Sequence, residues 1–306
     1  MSQTAARDGK APTVFVGAAT MDSIAVVAGY PGPDERVVAE GLTFAGGGPA
    51  ATAAVSAARL GVSCAFVGTV GDDLDGERIL AELESEGVDV SGVTRARGRR
   101  SAASVIVVDR THGTRAICAR PGPPVDTSLG ADLIAAAEWV HADHLGWAAV
   151  RALVDPGSDG RPALSVDAGN PIPDFSPRGV DLYVPTVAAL RRDHGDAPPE
   201  ALVRASHALG ARRVVATDGG RGSYGADPGG DVVHVAAVPT DVVSTLGAGD
   251  VFHGALVAAH VRGVPLEDAL RYANAVAAAS CTGIDGRSAI PSHDRVLRHL
   301  GTVPLT

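Results

Sequence analysis

The sequence is poor in the groups that staple, stack or anchor. Its three cysteines, Cys64, Cys118 and Cys281, are odd in number, far apart and without a CxxC pair. That argues against a disulfide framework and a thiolate zinc site, and a reducing cytoplasm is the simplest setting. Aromatic residues are only 4% of the chain, which leaves few rings for a wall against a nucleobase. No run approaches the roughly 18 apolar residues of a membrane helix, and the opening MSQTAARDGKAPT lacks the apolar core of a signal peptide. Residues 1–12 read as a flexible tail. A formal charge of −9 argues against nucleic acid or an anionic membrane as the main partner. It still allows a local cationic pocket.

What is abundant is small: alanine, valine and 38 glycines, suited to tight βα turns and close helix–sheet packing. At 306 residues the chain can bury the core of one large α/β unit, expected over 13–300. TVFVGAA (13–19) reads as a buried first strand and CAFVGTVG (64–71) as the next. Further strands are expected at EWVHAD, ALSVDA, VDLYVP and RRVVATDG, with helices near 50–60, 71–88, 249–262, 265–281 and 293–300. This alternation implies an α/β fold with a doubly wound, mostly parallel sheet covered by helices on both faces. Two more β-like segments, about 22–45 and 92–119, interrupt the rhythm. They are expected to form a separate small sheet.

The strongest local signal is STLGAGDVFHG (244–254). Three small residues, Gly247, Ala248 and Gly249, precede a lone acid, Asp250, and an apolar helical run follows. A tight turn feeding a helix N-terminus aims several N–H groups at one point, which suits an anion. A carboxylate beside that point suits phosphoryl transfer, with the acid taking a proton from the acceptor. Alone, the four residues equally describe an ordinary capped helix start. Asp22 follows the first strand, where ligands of open α/β sheets gather, and could accept hydrogen bonds from vicinal hydroxyls. It could equally be a turn residue. GGGP (46–49) would let backbone approach a small substrate, or is a plain turn.

Three other patterns weigh less. HADH (141–144) has metal-like residue types, but strand ends commonly hold satisfied polar groups. His253 lies one helical turn from Asp250, either near the phosphates or simply packed. GGRGSYG (219–225) contains a GxGxxG-like spacing without the first-strand position or the later acid that a dinucleotide site needs.

In order along the chain, Gly17…Asp22, GGGPAATAAVSAARLG with GTVGDDLDG, TDGGRG, and VVSTLGAGDVFHGAL resemble the motifs of the ribokinase (PfkB) family of carbohydrate kinases, from about Val14 to Pro291. The wording of GGGPAATAAV, LAELESEGVD and GAGDVFHGAL is similar to bacterial sulfofructose kinases. The resemblance implies a ribokinase-like domain with a small β-sheet lid that often forms a homodimer. It implies ATP and Mg2+, with Asp250 as catalytic base and Gly247, Ala248 and Gly249 around the anion hole. Asp22, Thr20, Gly46 and Gly47 would hold the acceptor sugar. Thr217, Gly219 and Gly222, with the loop around Cys281 and Arg287, would lie by the nucleotide.

The chain also departs from that family. Ser244 stands where an Asp is associated with a monovalent cation, which leaves that ion doubtful. The Asn and Glu that organise magnesium are absent from Pro185–Ala188, so no metal ligand is named. Thr20 replaces the Asn of ribose-type enzymes. An anionic sugar would want Arg36, with Arg120 as a substitute cation. Nucleoside phosphorylation is the near alternative, and a silent sugar or nucleotide sensor the distant one. The retained Asp250 argues against the sensor.

Overall fold

Alternating apolar runs and small-residue turns become two sheets. The structure, a computed structural model, describes residues 12–301. The tail expected over 1–12 thus lies, except for its last residue, outside the described residues. In chain order the first part holds β1 (Thr13–Gly17), β2 (Thr20–Val27), β3 (Gly41–Gly47), α1 (Pro49–Arg59), β4 (Cys64–Gly71), α2 (Leu74–Ser85) and β5 (Val93–Ala96). Next come β6 (Ala102–Asp109), β7 (Thr114–Arg120), α3 (Ala131–Ala136), β8 (Trp139–Ala142), α4 (Trp147–Leu153), β9 (Ala163–Ala168) and β10 (Leu182–Pro185). The last part holds α5 (Val187–His194), α6 (Pro199–Ala208), β11 (Arg213–Thr217), β12 (Ser223–Ala226), β13 (Val233–Val235), α7 (Ala248–Val261), α8 (Leu266–Ser280) and α9 (His293–Leu300).

The large sheet has nine strands in the order β13-β12-β11-β10-β9-β8-β1-β4-β5. It is parallel from β11 to β5, and β12 and β13 add an antiparallel edge. Side chains alternate between its faces. Phe15 packs with α1, α2, α7 and α8, while Val14 and Val16 pack with α3, α4, α5 and α6. Both faces are covered, as near-continuous apolar strands require. α7 is apolar nearly all round, Val251–Ala259 being buried, which marks a core helix. It crosses α1 closely enough for Ser56 Oγ to donate to Val251 O at 3.0 Å.

The small sheet has the order β3-β2-β6-β7, with β2 and β6 parallel. One face of it packs Ile24, Val26, Ile106 and Val108 onto Leu246 and Ile284 of the body. One expectation changes. Val93–Ala96 falls in the segment assigned to the small sheet, yet pairs parallel with β4 as the edge of the large one. Its partner offers a free parallel edge, whereas the small sheet begins only at Ala102. Within 22–45, two strands flank residues 28–40, where PGPDE breaks the ladder and removes a backbone donor.

Candidate active site

Strand ends of the large sheet bring the acids together. Gly17 ends β1, Asp143 follows β8, Asp167 lies near the end of β9, and Thr217 ends β11, all at the carboxyl edge where such sheets bind ligands. Gly247 caps α7 with φ +70°, a left-handed conformation that suits glycine. A Cβ there would also crowd Gly286 Cα at 2.9 Å. Ala248 N donates to Thr245 O at 3.3 Å and Val251 N to Gly247 O at 2.9 Å. Between them, the Gly249 and Asp250 amides find no acceptor among the described residues. A Cβ on Gly249 would meet nothing within 4 Å. The turn is therefore an open cradle with two free N–H donors, set at the positive end of a 14-residue helix. Ala248 shapes the turn, but its amide is already used.

Asp250 sits in the first turn of α7, half-buried and without a side-chain hydrogen bond among the described residues. Burial, then the neighbouring Asp167 carboxylate, push its pKa up to about 7, against the pull of His253 and Arg287. A free carboxyl poised near neutrality is suited to general-base work. Asp167 itself is buried and held well below the usual carboxylate range. Burial opposes that shift, but the His253 imidazole, 3.3 Å away, and the Gly169 amide outweigh it.

The end around Asp22 is built differently. Asp22 on β2 is buried and takes a hydrogen bond from Thr20 Oγ1 at 2.9 Å, with Ser104 beside it across the β2–β6 pair. Burial raises its pKa, countered by these hydroxyls and by Arg287. A Cβ on Gly47 would overlap Asp22 Oδ2, so the close approach of β3 to the carboxylate needs glycine. Behind the loop, Glu82 Oε2 accepts from Gly46 N at 2.8 Å, and Glu82 Oε1 meets Arg287 Nη1 at 3.0 Å. Arg287 Nη2 donates to Gly47 O at 2.8 Å and Nε to Thr52 Oγ1 at 3.2 Å. Asp143 bolts the neighbouring segments together by accepting four amides, from Ala18, Ala50, Leu145 and Gly146, at 2.7–3.2 Å.

The remaining motif residues are held by contacts of their own. Arg287, expected beside the nucleotide, is buried behind Gly46 and Gly47, since its charge finds Glu82 there. Cys281 caps α8, and its carbonyl accepts the Val243 and Ser244 amides that lead into the cradle. Arg120 is tied to Asp75 and the Ser101 carbonyl. Arg36 lies exposed in the loop between β2 and β3, in no ion pair among the described residues. Thr217, Gly219 and Gly222 form a turn at the end of β11, closed by Asp218 N to Gly222 O at 2.8 Å. Asn274 of α8 ties β12 and β13, which follow that turn, to the helix that ends at Cys281. Asp167 belongs to no motif read in the sequence, while Asp143 lies in HADH and Glu82 in LAELESEGVD without either side chain being singled out there. The strand-end rule that selected Asp22 would have found Asp167.

Among the described residues no group of three or more His, Cys, Asp or Glu side chains is placed to hold a metal. Pro185–Ala188 offers no carboxylate, and Thr186 Oγ1 is spent accepting Ala189 N to cap α5. These residues do not fit a protein-held magnesium. No described helix is long and apolar enough to cross a membrane.

Comparison with known proteins gives the family. An ATP-dependent ribose-1-phosphate kinase of Halopiger xanaduensis is 28% identical over 260 residues, covering 83% of this chain and 86% of its own. A nucleoside kinase of Methanothermobacter thermautotrophicus is 27% identical, covering 86% of each chain. The structure of Arabidopsis thaliana ribokinase complexed with ribose and ATP shares the fold with a TM-score of 0.80 at 24% identity, covering 96% of this chain and 100% of that one. The model of the pfkB family carbohydrate kinases matches residues 11–160 and 177–293, most of the length described above. The chain belongs to the pfkB family of carbohydrate kinases.

Proposed function

We propose that this kinase transfers the γ-phosphoryl group of ATP to a hydroxyl of a sugar or ribose-bearing acceptor, with Asp250 as general base. The observation that carries the reading is the unpartnered Asp250 carboxyl beside two free amides and an open face at Gly249. The acceptor hydroxyl, oriented by Asp22, gives its proton to Asp250 and forms a bond to the γ-phosphorus. The bond from that phosphorus to the β–γ bridging oxygen breaks, and ADP leaves. Positioned proton removal is worth typically ~10²–10⁴-fold. The Gly249 and Asp250 amides would meet the phosphoryl oxygens, where one such donor can be worth about 3–4 kcal/mol. Thr217, Gly219 and Gly222 would lie along the nucleotide. Magnesium, on this reading, comes as part of the nucleotide, held by its phosphates and water.

The second face of the small sheet supports a partner as well. Phe44, Ser23, Val105 and Cys118 share one cross-strand row, with Leu42 two residues away on the same face. Leu42 and Phe44 are 77% and 72% exposed. We propose that a second copy of the chain covers this apolar face. We propose a cytoplasmic location, which the free Cys64, Cys118 and Cys281 support.

The test is ADP release with Mg-ATP over ribose, ribose 1-phosphate, fructose, sulfofructose, fructosamine and nucleosides, run beside Asp250→Asn. One acceptor is expected to turn over, with a loss of at least ~10²-fold in the variant. Equal turnover in the variant would remove Asp250 from the chemistry, and no turnover with any acceptor would leave the substrate reading without support.

A further inference from the structure

Beneath Asp250 lies a buried polar group that phosphoryl transfer, as derived above, does not use. His253 is one helical turn along α7, and its Nε2 stands 3.3 Å from Asp167 Oδ1 on β9, both side chains being less than a tenth exposed. The His141 ring of β8 packs against it with centroids 5.4 Å apart, and the Phe252 ring lies edge-on. His141 Nδ1 pairs with Ser165 Oγ at 3.0 Å. His253 Nδ1 is buried without a partner among the described residues, as is His141 Nε2. Such burial of polar atoms is costly unless something offsets it. A hydrophobic residue of similar size would fill this space at less cost, so what the imidazole adds is charge and a hydrogen bond.

The charged groups around it are few. Asp167 and Asp250 act on His253, and Asp167, His253, Asp143 and Arg287 act on Asp250. Burial opposes the charge on His253, but the two carboxylates outweigh it and raise its pKa. His141 stays neutral, its pKa lowered to about 3 by burial and then by His253. Of the two rings, His253 is therefore the one whose surroundings favour the charged form.

Resting on the kinase reading of the site, we infer that His253 is a positioning residue for Asp250: held as the imidazolium by Asp167, it supplies the buried positive charge that lets the base ionise near neutral pH. Asp167 would otherwise oppose that ionisation. The pair thus acts as a balanced counter-ion in which each member shifts Asp250 the opposite way.

The experiment is an NMR titration of the Asp250 carboxyl and the His253 ring nitrogens in wild type, His253→Gln, Asp167→Asn and Asp250→Asn, without substrate. Gln keeps a donor for Asp167 and removes the charge. The Asp250 midpoint is expected to rise by about one pH unit in His253→Gln, as loss of a near opposite charge requires. It should stay level or fall in Asp167→Asn. The His253 midpoint should fall in Asp250→Asn, a reading that remains if the Gln variant does not fold. A neutral His253 at pH 7 in wild type, or an Asp250 midpoint unmoved by Gln, would overturn the inference. With an acceptor in hand, the acid limb of kcat/KM should move upward in His253→Gln, which a merely structural residue would not cause. If no acceptor turns over, the kinase reading is in question while the titration still decides the role of His253.

Discussion

The two ends of the site differ in what they are made of. Around Asp22 and Gly46–Gly47, side chains are buried and bonded to each other: Thr20 to Asp22, Glu82 to Arg287, Arg287 to the Gly47 carbonyl and Thr52. Around the α7 cradle and the Thr217–Gly222 turn, the chain offers glycine, backbone amides and open space. The first end is fixed by side-chain networks that also hold the fold. The second is a backbone mould that holds little else. Loss of a group at the Asp22 end should therefore register in stability, and loss at the cradle in turnover.

Arg287→Met is the strongest way to break that contrast. Removing one partner of a buried ion pair costs about 3–5 kcal/mol, and the Glu82 carboxylate would be left facing Gly46. Urea unfolding is expected to show a loss of this size, and a loss below about 1 kcal/mol would mean that buried charge does not hold the Asp22 end. Gly247→Val should cost less, roughly 1–3 kcal/mol for a β-branched residue forced to positive φ. Its larger effect is expected on kcat, because the two free amides of the cradle are displaced. Unchanged kcat in a folded variant would contradict the cradle's role. Phe44→Glu, on the outer face of the small sheet, should change unfolding free energy by no more than about 0.5 kcal/mol. Light scattering should nonetheless report half the wild-type mass, and an equal mass would remove the dimer face.

The same contrast explains what the sequence reveals. Backbone features are local, so GAGD and GGGP announced a turn, an open approach and a helix start without any knowledge of neighbours. The end of α1 before Gly61 and the start of α7 after Gly247 were legible for the same reason. Side-chain networks are not local. Glu82 reads as one acid among several on an exposed helix, and only the 205-residue contact to Arg287 shows its role. The family resemblance alone sets the loop of Arg287 by the nucleotide, yet its side chain turns back to Glu82. The pairing of β5 with β4 was hidden too, since a short strand at a sheet edge carries no sign of which sheet it joins.

The central claim is that the Asp250 carboxylate is the base, and the pH dependence of kcat/KM for the acceptor tests it most directly. The base acts only when ionised, and burial with Asp167 holds its pKa at about 7 in the free protein. Below that value log kcat/KM is expected to fall with unit slope, and above it to reach a plateau. Asp250→Asn should lower the plateau and lose the limb. A wild-type profile flat from pH 5 to 8, or an unaltered limb in the variant, would contradict the account.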